Sequence, residues 1–190
     1  MPLPQPVARE EMHCRTIEMR GYRREDGLFD IEGSIKDVKP TPYQPSGGRY
    51  VEPGTHLHEM WVRLTIDDNL VVQEVHGSTD FAPFPECPGA APGLAVLKGA
   101  NMGKGWRKAL SERLSGVLGC THVRELLNTM GSTAHQSMGD VRRAKAPAVV
   151  GFTTRPPIID SCYAYSTERD LVVRRWPNLF PPKAADRKSG

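Results

Sequence analysis

The chain is poor in the features that usually declare a function. Cysteine occurs only 4 times, at Cys14, Cys87, Cys120 and Cys162, with no short repeat spacing. Thiols so scattered do not form a disulfide framework, and they read as reduced cysteines. Aromatic residues are 7% of the chain, and no apolar run approaches the ~18 residues that a membrane span needs. The opening MPLPQPVAREEMHCR lacks a basic stretch followed by an apolar one, so no secretory signal is expected. These absences point to a cytoplasmic protein with no membrane partner. Charge of one sign is also lacking. Lys+Arg 25 against Asp+Glu 22 leave +3, neither cation gathers in a stripe, and a nucleic-acid partner is not expected. There is no GxGxxG, P-loop, CxxC, HExxH or GxSxG pattern, no internal repeat and no low-complexity tract.

What is present suits one domain of ordinary size. Hydrophobic residues are 38% and charged residues 25% of 190, enough to bury a core. Gly 18 and Pro 17 predict many turns and long loops. Runs over 12–24 and 28–39 flank Asp26-Gly27, a hairpin signal. HEMWVRLTID alternates cleanly, with Met60, Val62, Leu64 and Ile66 on one face, and a turn at Asp67-Asp68-Asn69 leads into LVVQEVHGS. Residues 40–55, STDFAPFPECPGAAPG and 145–157 read as loops. Trp106, Leu110 and Leu114 predict a helix over 105–114. Val123, Leu126, Leu127 and Met130 predict another, with Thr121 as its N-cap. IIDSCYAYSTERDLVVRRW reads as a last hairpin. The expectation is an α+β fold, an antiparallel sheet of about four or more strands packed with two main helices. It would form a single domain over 12–180, with flexible ends at 1–11 and 181–190.

Few residues carry chemistry. His56 and His58, two apart in a strand, are expected to point to one face and to share a ligand. Cys87, between Pro85 and Pro88, suits a ligand or nucleophile held in a stiff loop. Cys120 opens a helix whose N-terminal dipole favours a thiolate, and His122 stands two residues on. Against each stands a structural role: a surface His pair, a filler Cys, a small buried thiol at a helix start. Cys162 reads as a core residue, and His76 and His135 as ordinary polar-face residues. Lys98 to Gly105 has the glycines and lysines of an anion-binding loop without P-loop spacing.

GYRREDGLFDIEGSIKDVK, HEMWVRLTIDD, CPGAAPG and GCTHVRELL, in that order, resemble an uncharacterised bacterial family known as domain of unknown function 2889. The resemblance runs from about His13 to Trp176. It implies no activity, and only weakly suggests a link to aromatic catabolism. More distantly, the middle segment resembles iron–sulfur scaffold proteins of the NifU/IscU/SufU type. Those carry Cys-x-Asp before a hairpin, a second Cys in the following loop and a third opening a late helix. Here His56-x-His58, Cys87 and Cys120 stand in those places, so His replaces both first-loop ligands.

Three readings follow. In the first, zinc or iron, or an iron–sulfur cluster, is held by His56 or His58, Cys87, Cys120 and His122. An open metal position would activate water for hydrolysis or hydration of a small substrate, an aromatic acyl compound being one candidate. In the second, Cys120 is a metal-free acyl-transfer or thioesterase-type nucleophile with His122 as base. In the third, the chain is a non-catalytic accessory to a partner enzyme, touching it through Phe81, Phe84 and Phe180. A homo-oligomer is compatible with all three.

Overall fold

The computed structural model describes residues 3–145 and 154–181. Four strands follow one another as two hairpins: β1 (Cys14–Arg23), β2 (Phe29–Val38), β3 (His56–Ile66) and β4 (Val72–Phe81). They form one antiparallel sheet in the order β1-β2-β3-β4. The expected turns close both hairpins. Asp26 accepts from the Leu28 N–H ahead of β2, and Gly27 takes a φ of 85°, which only glycine adopts without strain. At the second hairpin Asp67 Oδ1 accepts the N–H groups of Asn69 and Val71.

Two main helices, α1 (Trp106–Leu114) and α2 (Thr121–Ser137), are followed by a short α3 (Gly139–Lys145). Alternation sorts the strands. Ile31, Ile35, Met60, Val62, Leu64 and Ile66 are buried, while Trp61 and Arg63 are exposed on the opposite face. The apolar stripe of α2, Val123, Leu126, Leu127, Met130 and Ala134, joins them in one core. Gly33 permits the close approach: a Cβ there would lie 3.2 Å from Leu126 and 3.0 Å from the Met19 sulfur. Gly131 does the same for α1, because a Cβ would sit 2.9 Å from Trp106, whose indole N–H donates to the Leu127 carbonyl at 2.8 Å.

Several local expectations are corrected. The N-cap of α2 is Cys120, not Thr121, because Cys120 keeps extended geometry and Thr121 is already helical. The Lys98–Gly105 loop is not an open anion cradle. Asn101 Oδ1 takes the Gly103 and Lys104 N–H groups at 2.8 and 2.9 Å, and Leu70 takes that of Met102. The last segment forms no hairpin. It holds a single 3-10 turn (Tyr163–Tyr165) and a helix α4 (Asp170–Arg175). Cys162 is exposed rather than in a core.

The chain divides into two compact units, Met1–Arg143 and Ala144–Gly190. The second has a small core of its own, Ile159, Val172 and Trp176, with Tyr165, Leu179 and Phe180 packed against it. An apolar set that buries itself has no need to extend the sheet. Of the expected loop at 145–157 and the tail at 181–190, residues 146–153 and 182–190 lie outside the described residues. Among the described residues no helix is long and apolar enough to cross a membrane.

Candidate functional site

One rung of the sheet founds the site. Arg15 on β1 lies opposite Asp37 on β2, and Asp37 opposite His58 on β3. Opposed residues point to the same face. The neighbouring rung on that face is Ile17, Ile35 and Met60, so a polar rung continues an apolar one. Asp37 is fully buried. Its Oδ1 accepts from Arg15 Nε at 2.7 Å, its Oδ2 from Arg15 Nη2 at 2.8 Å, and His13 Nε2 stands 3.2 Å from Oδ1. The other arm of the guanidinium reaches Glu125 Oε2 on α2 at 2.6 Å. Arg15 thus fastens the sheet to the helix.

Burial pushes the Asp37 carboxyl up. The Arg15 hydrogen bonds and charge outweigh it, His58 adds to them, and the carboxyl comes to about 2. The group is therefore a carboxylate at neutral pH. His58 Nδ1, 2.9 Å from Asp37 Oδ2, must be the donor, which leaves Nε2 as the free nitrogen of a neutral ring. Burial lowers the His58 pKa, and the charges of His122 and Arg15 lower it further against the pull of Asp37.

Helix α2 brings the remaining groups. The His122 ring stacks on His58 with centroids 3.9 Å apart and planes 34° apart. Cys120 Sγ lies 3.9 Å from His122 Nδ1 and 4.0 Å from the Met60 sulfur. Burial raises the Cys120 thiol pKa. The His122 hydrogen bond and the N–H groups of Val123 and His122 more than reverse that, so the thiol lies below its ordinary value. His58, Cys120 and His122 open on a cleft of about 770 Å³, which Cys87 lines from the 3-10 turn Cys87–Ala90.

Four of the five residues singled out in the sequence therefore meet at one cleft: His58, Cys87, Cys120 and His122. His56 does not join them. Val38 pairs with His56 and Asp37 with His58, which leaves Leu57 as the extra residue of a β-bulge. The bulge cancels the two-residue alternation, so His56 turns to Glu59, 2.7 Å from its Nδ1, and to the edge of Phe81. Cys14 and Cys162 are exposed and take no part.

Asp37 and Arg15 are the residues that sequence reasoning missed. A signal was available: the face that carries Phe29, Ile31, Gly33 and Ile35 lands next on Asp37, and the face of Ile17 and Met19 lands on Arg15. Asp37, His58 and His122 each offer a ligand atom within 4.8 Å of the others. Both Asp37 oxygens already serve Arg15, however, so the carboxylate is suited to orient His58 rather than to meet a cation.

Residues 13–136, more than half of the chain, match the model of a family described as a protein of unknown function, DUF2889. No curated protein and no solved structure matches the chain. The scaffold-type resemblance of the middle segment thus has no match behind it.

Proposed function

Because the chain belongs to the DUF2889 family, whose description assigns no activity, we propose from the cleft alone that it is a metal-binding protein. In this reading zinc or iron is held by His58, Cys120 and His122, with Cys87 as a further donor. The carrying observation is that these four side chains, from β3, a 3-10 turn and the start of α2, line one cleft. Two imidazoles and two thiols are a donor set that zinc and iron accept.

Three features support the reading. Asp37 holds the Nδ1 of His58, which fixes the tautomer and turns Nε2 into the available donor, as carboxylates behind metal-bound histidines do. The Cys120 thiol is held below its ordinary pKa, which eases formation of the thiolate that binds metal. The 3.9 Å between Cys120 Sγ and His122 Nδ1 is close to the ~3.5 Å that bonds of ~2.3 and ~2.0 Å subtend at a tetrahedral ion. When bound, the metal would acidify a water molecule for hydrolysis or hydration of a small substrate. The chain's own part is to hold that substrate in the cleft and to keep His58 neutral and oriented.

Elemental analysis of protein purified without a tag under anaerobic conditions tests the reading. Near-stoichiometric zinc or iron, lost in Cys120→Ser and in His58→Ala, is the expected result. Metal-free wild-type protein would overturn it.

A second reading has an observation of its own. The Cys120–His122 pair at the N-terminus of a 17-residue helix is also the arrangement of a thiolate nucleophile beside its base. Turnover of a simple thioester by chelator-treated protein, abolished in Cys120→Ser, would favour that reading over the first.

A further inference from the structure

The walls of the cleft differ from its floor, and they carry a statement about the ligand. Cys120 and His122 are preceded by a 3-10 turn, Gly116–Leu118, that places Val117 and Leu118 beside the site. Val117 is fully exposed and Leu118 is 59% exposed. Pro83 and Phe84 line the same cleft, the latter 38% exposed. Solvent-facing Val, Leu and Phe gathered at one concavity are unlike singly scattered apolar residues, and they mark a surface that gains by being covered. At about 770 Å³ the concavity falls within the ~300–1,000 Å³ range of small-molecule sites.

The charges point the same way. Glu86 is the only carboxylate among the lining residues, and none of them is Lys or Arg. Arg15, the guanidinium behind Asp37 and His58, has both ends committed, to Asp37 and to Glu125. The N-terminal N–H groups of α2 that could greet an anion stabilise the Cys120 sulfur instead. A phosphorylated or polyanionic ligand would find no fixed cation here, whereas an apolar body would dehydrate Val117, Leu118 and Phe84.

We propose that this cleft selects small molecules with an uncharged, apolar body and a single polar head, the body lying on Phe84, Val117 and Leu118 and the head meeting His58, Cys120 and His122. The place of the body follows from the walls alone. That of the head rests on the metal reading given above.

The test uses the full chain and three hydroxamates with one metal-seeking head and different bodies: acetohydroxamate, hexanohydroxamate and the monohydroxamate of succinate. Binding is measured by calorimetry on wild type and on Val117→Ser/Leu118→Ser, a variant whose changed side chains are exposed and leave the core intact. Hexanohydroxamate should bind at least tenfold more tightly than acetohydroxamate, since each buried methylene contributes. The succinate derivative should bind no better than acetohydroxamate. The double variant should lose the tenfold preference and keep the acetohydroxamate affinity. Equal affinities for all three, or a preference for the charged body, would overturn the proposal and leave the metal reading standing. 2-Octanone, which needs no metal, separates the opposite failure. If no hydroxamate binds but 2-octanone does, with the affinity lost in the double variant, the metal reading fails and the apolar selection holds. If neither kind of probe binds, the proposal falls.

Discussion

His58 donates from Nδ1 to the Oδ2 of Asp37 across 2.9 Å, and that bond decides which nitrogen of the ring faces the cleft. The donor direction follows from Asp37, held as a carboxylate by the two-pronged bond from Arg15. A ring with its Nδ1 committed has one role left, and Nε2 carries it.

Asp37→Asn keeps the shape and removes the charge. It leaves Arg15 half-buried with a neutral partner and lets the His58 ring choose its tautomer. Breaking a buried charged pair costs about 3–5 kcal/mol, and Arg15 is partly exposed, so about 2–4 kcal/mol is expected in urea denaturation. In the metal reading the same variant lowers zinc affinity by ~10–100-fold, which competition with a chelating dye would measure.

The chain should lose stability in two stages as pH falls. The folded pKa of His58 is depressed below its ordinary 6.5. The unfolded chain therefore takes up the proton first, and stability declines as pH drops below 6.5. The folded pKa of Asp37 is depressed from 3.8 to about 2, so its contribution is whole above 3.8 and disappears on the way down to about 2. Thermal melts from pH 8 to pH 2 on metal-free protein should show both. In His58→Gln the upper stage should vanish while the lower remains, and an unchanged upper stage would refute the assignment.

Cys120 should react with iodoacetamide as an acidified thiol. In metal-free protein the rate should rise with a midpoint below the ordinary thiol value of 9.0, since the His122 hydrogen bond and the α2 N–H groups outweigh burial. His122→Ala should move that midpoint upward, since the His122 hydrogen bond is what lowers it most. Mass spectrometry of the labelled Cys120 peptide against pH, in wild type and variant, makes the comparison.

Core and surface positions of neighbouring strands should separate sharply. Leu126→Ala removes a fully buried side chain packed over Gly33 and should cost about 2–5 kcal/mol in denaturant. Trp61→Ala, on the exposed face, should cost much less despite the larger side chain, since it forfeits little beyond the bond to Asp80 and the Lys36 contact. Gly131→Ala forces a methyl group to 2.9 Å from Trp106, and about 1–3 kcal/mol is expected from that crowding.

Alternation and turn chemistry made much of the first unit legible in the chain itself. Met60 to Ile66 told its inward face, Asp26-Gly27 and Asp67-Asp68-Asn69 told the turns, and the stripe from Val123 to Met130 told α2. These are local signals, because strand parity and helical period act between residues a few positions apart. Cys120 and His122 were legible for the same reason: both belong to one helix start. The segment from Ile158 to Trp176 misled, because its β-branched residues and tyrosines suit a strand while a small core of Ile159, Val172 and Trp176 is satisfied by a turn and a helix.

The sequence by itself determined the α+β class, the two hairpins, the two main helices and the residue types able to do chemistry. Tertiary structure decided which of them meet. Register across three strands set Arg15, Asp37 and His58 on one rung, though 22 and 21 positions separate Asp37 from its partners. One extra residue at Leu57 turned His56 away from His58, against the parity of the chain. The packing of α2 on the sheet then laid His122 on His58. Pairings of this kind depend on where distant backbones come to lie, and a local pattern of side chains does not encode that.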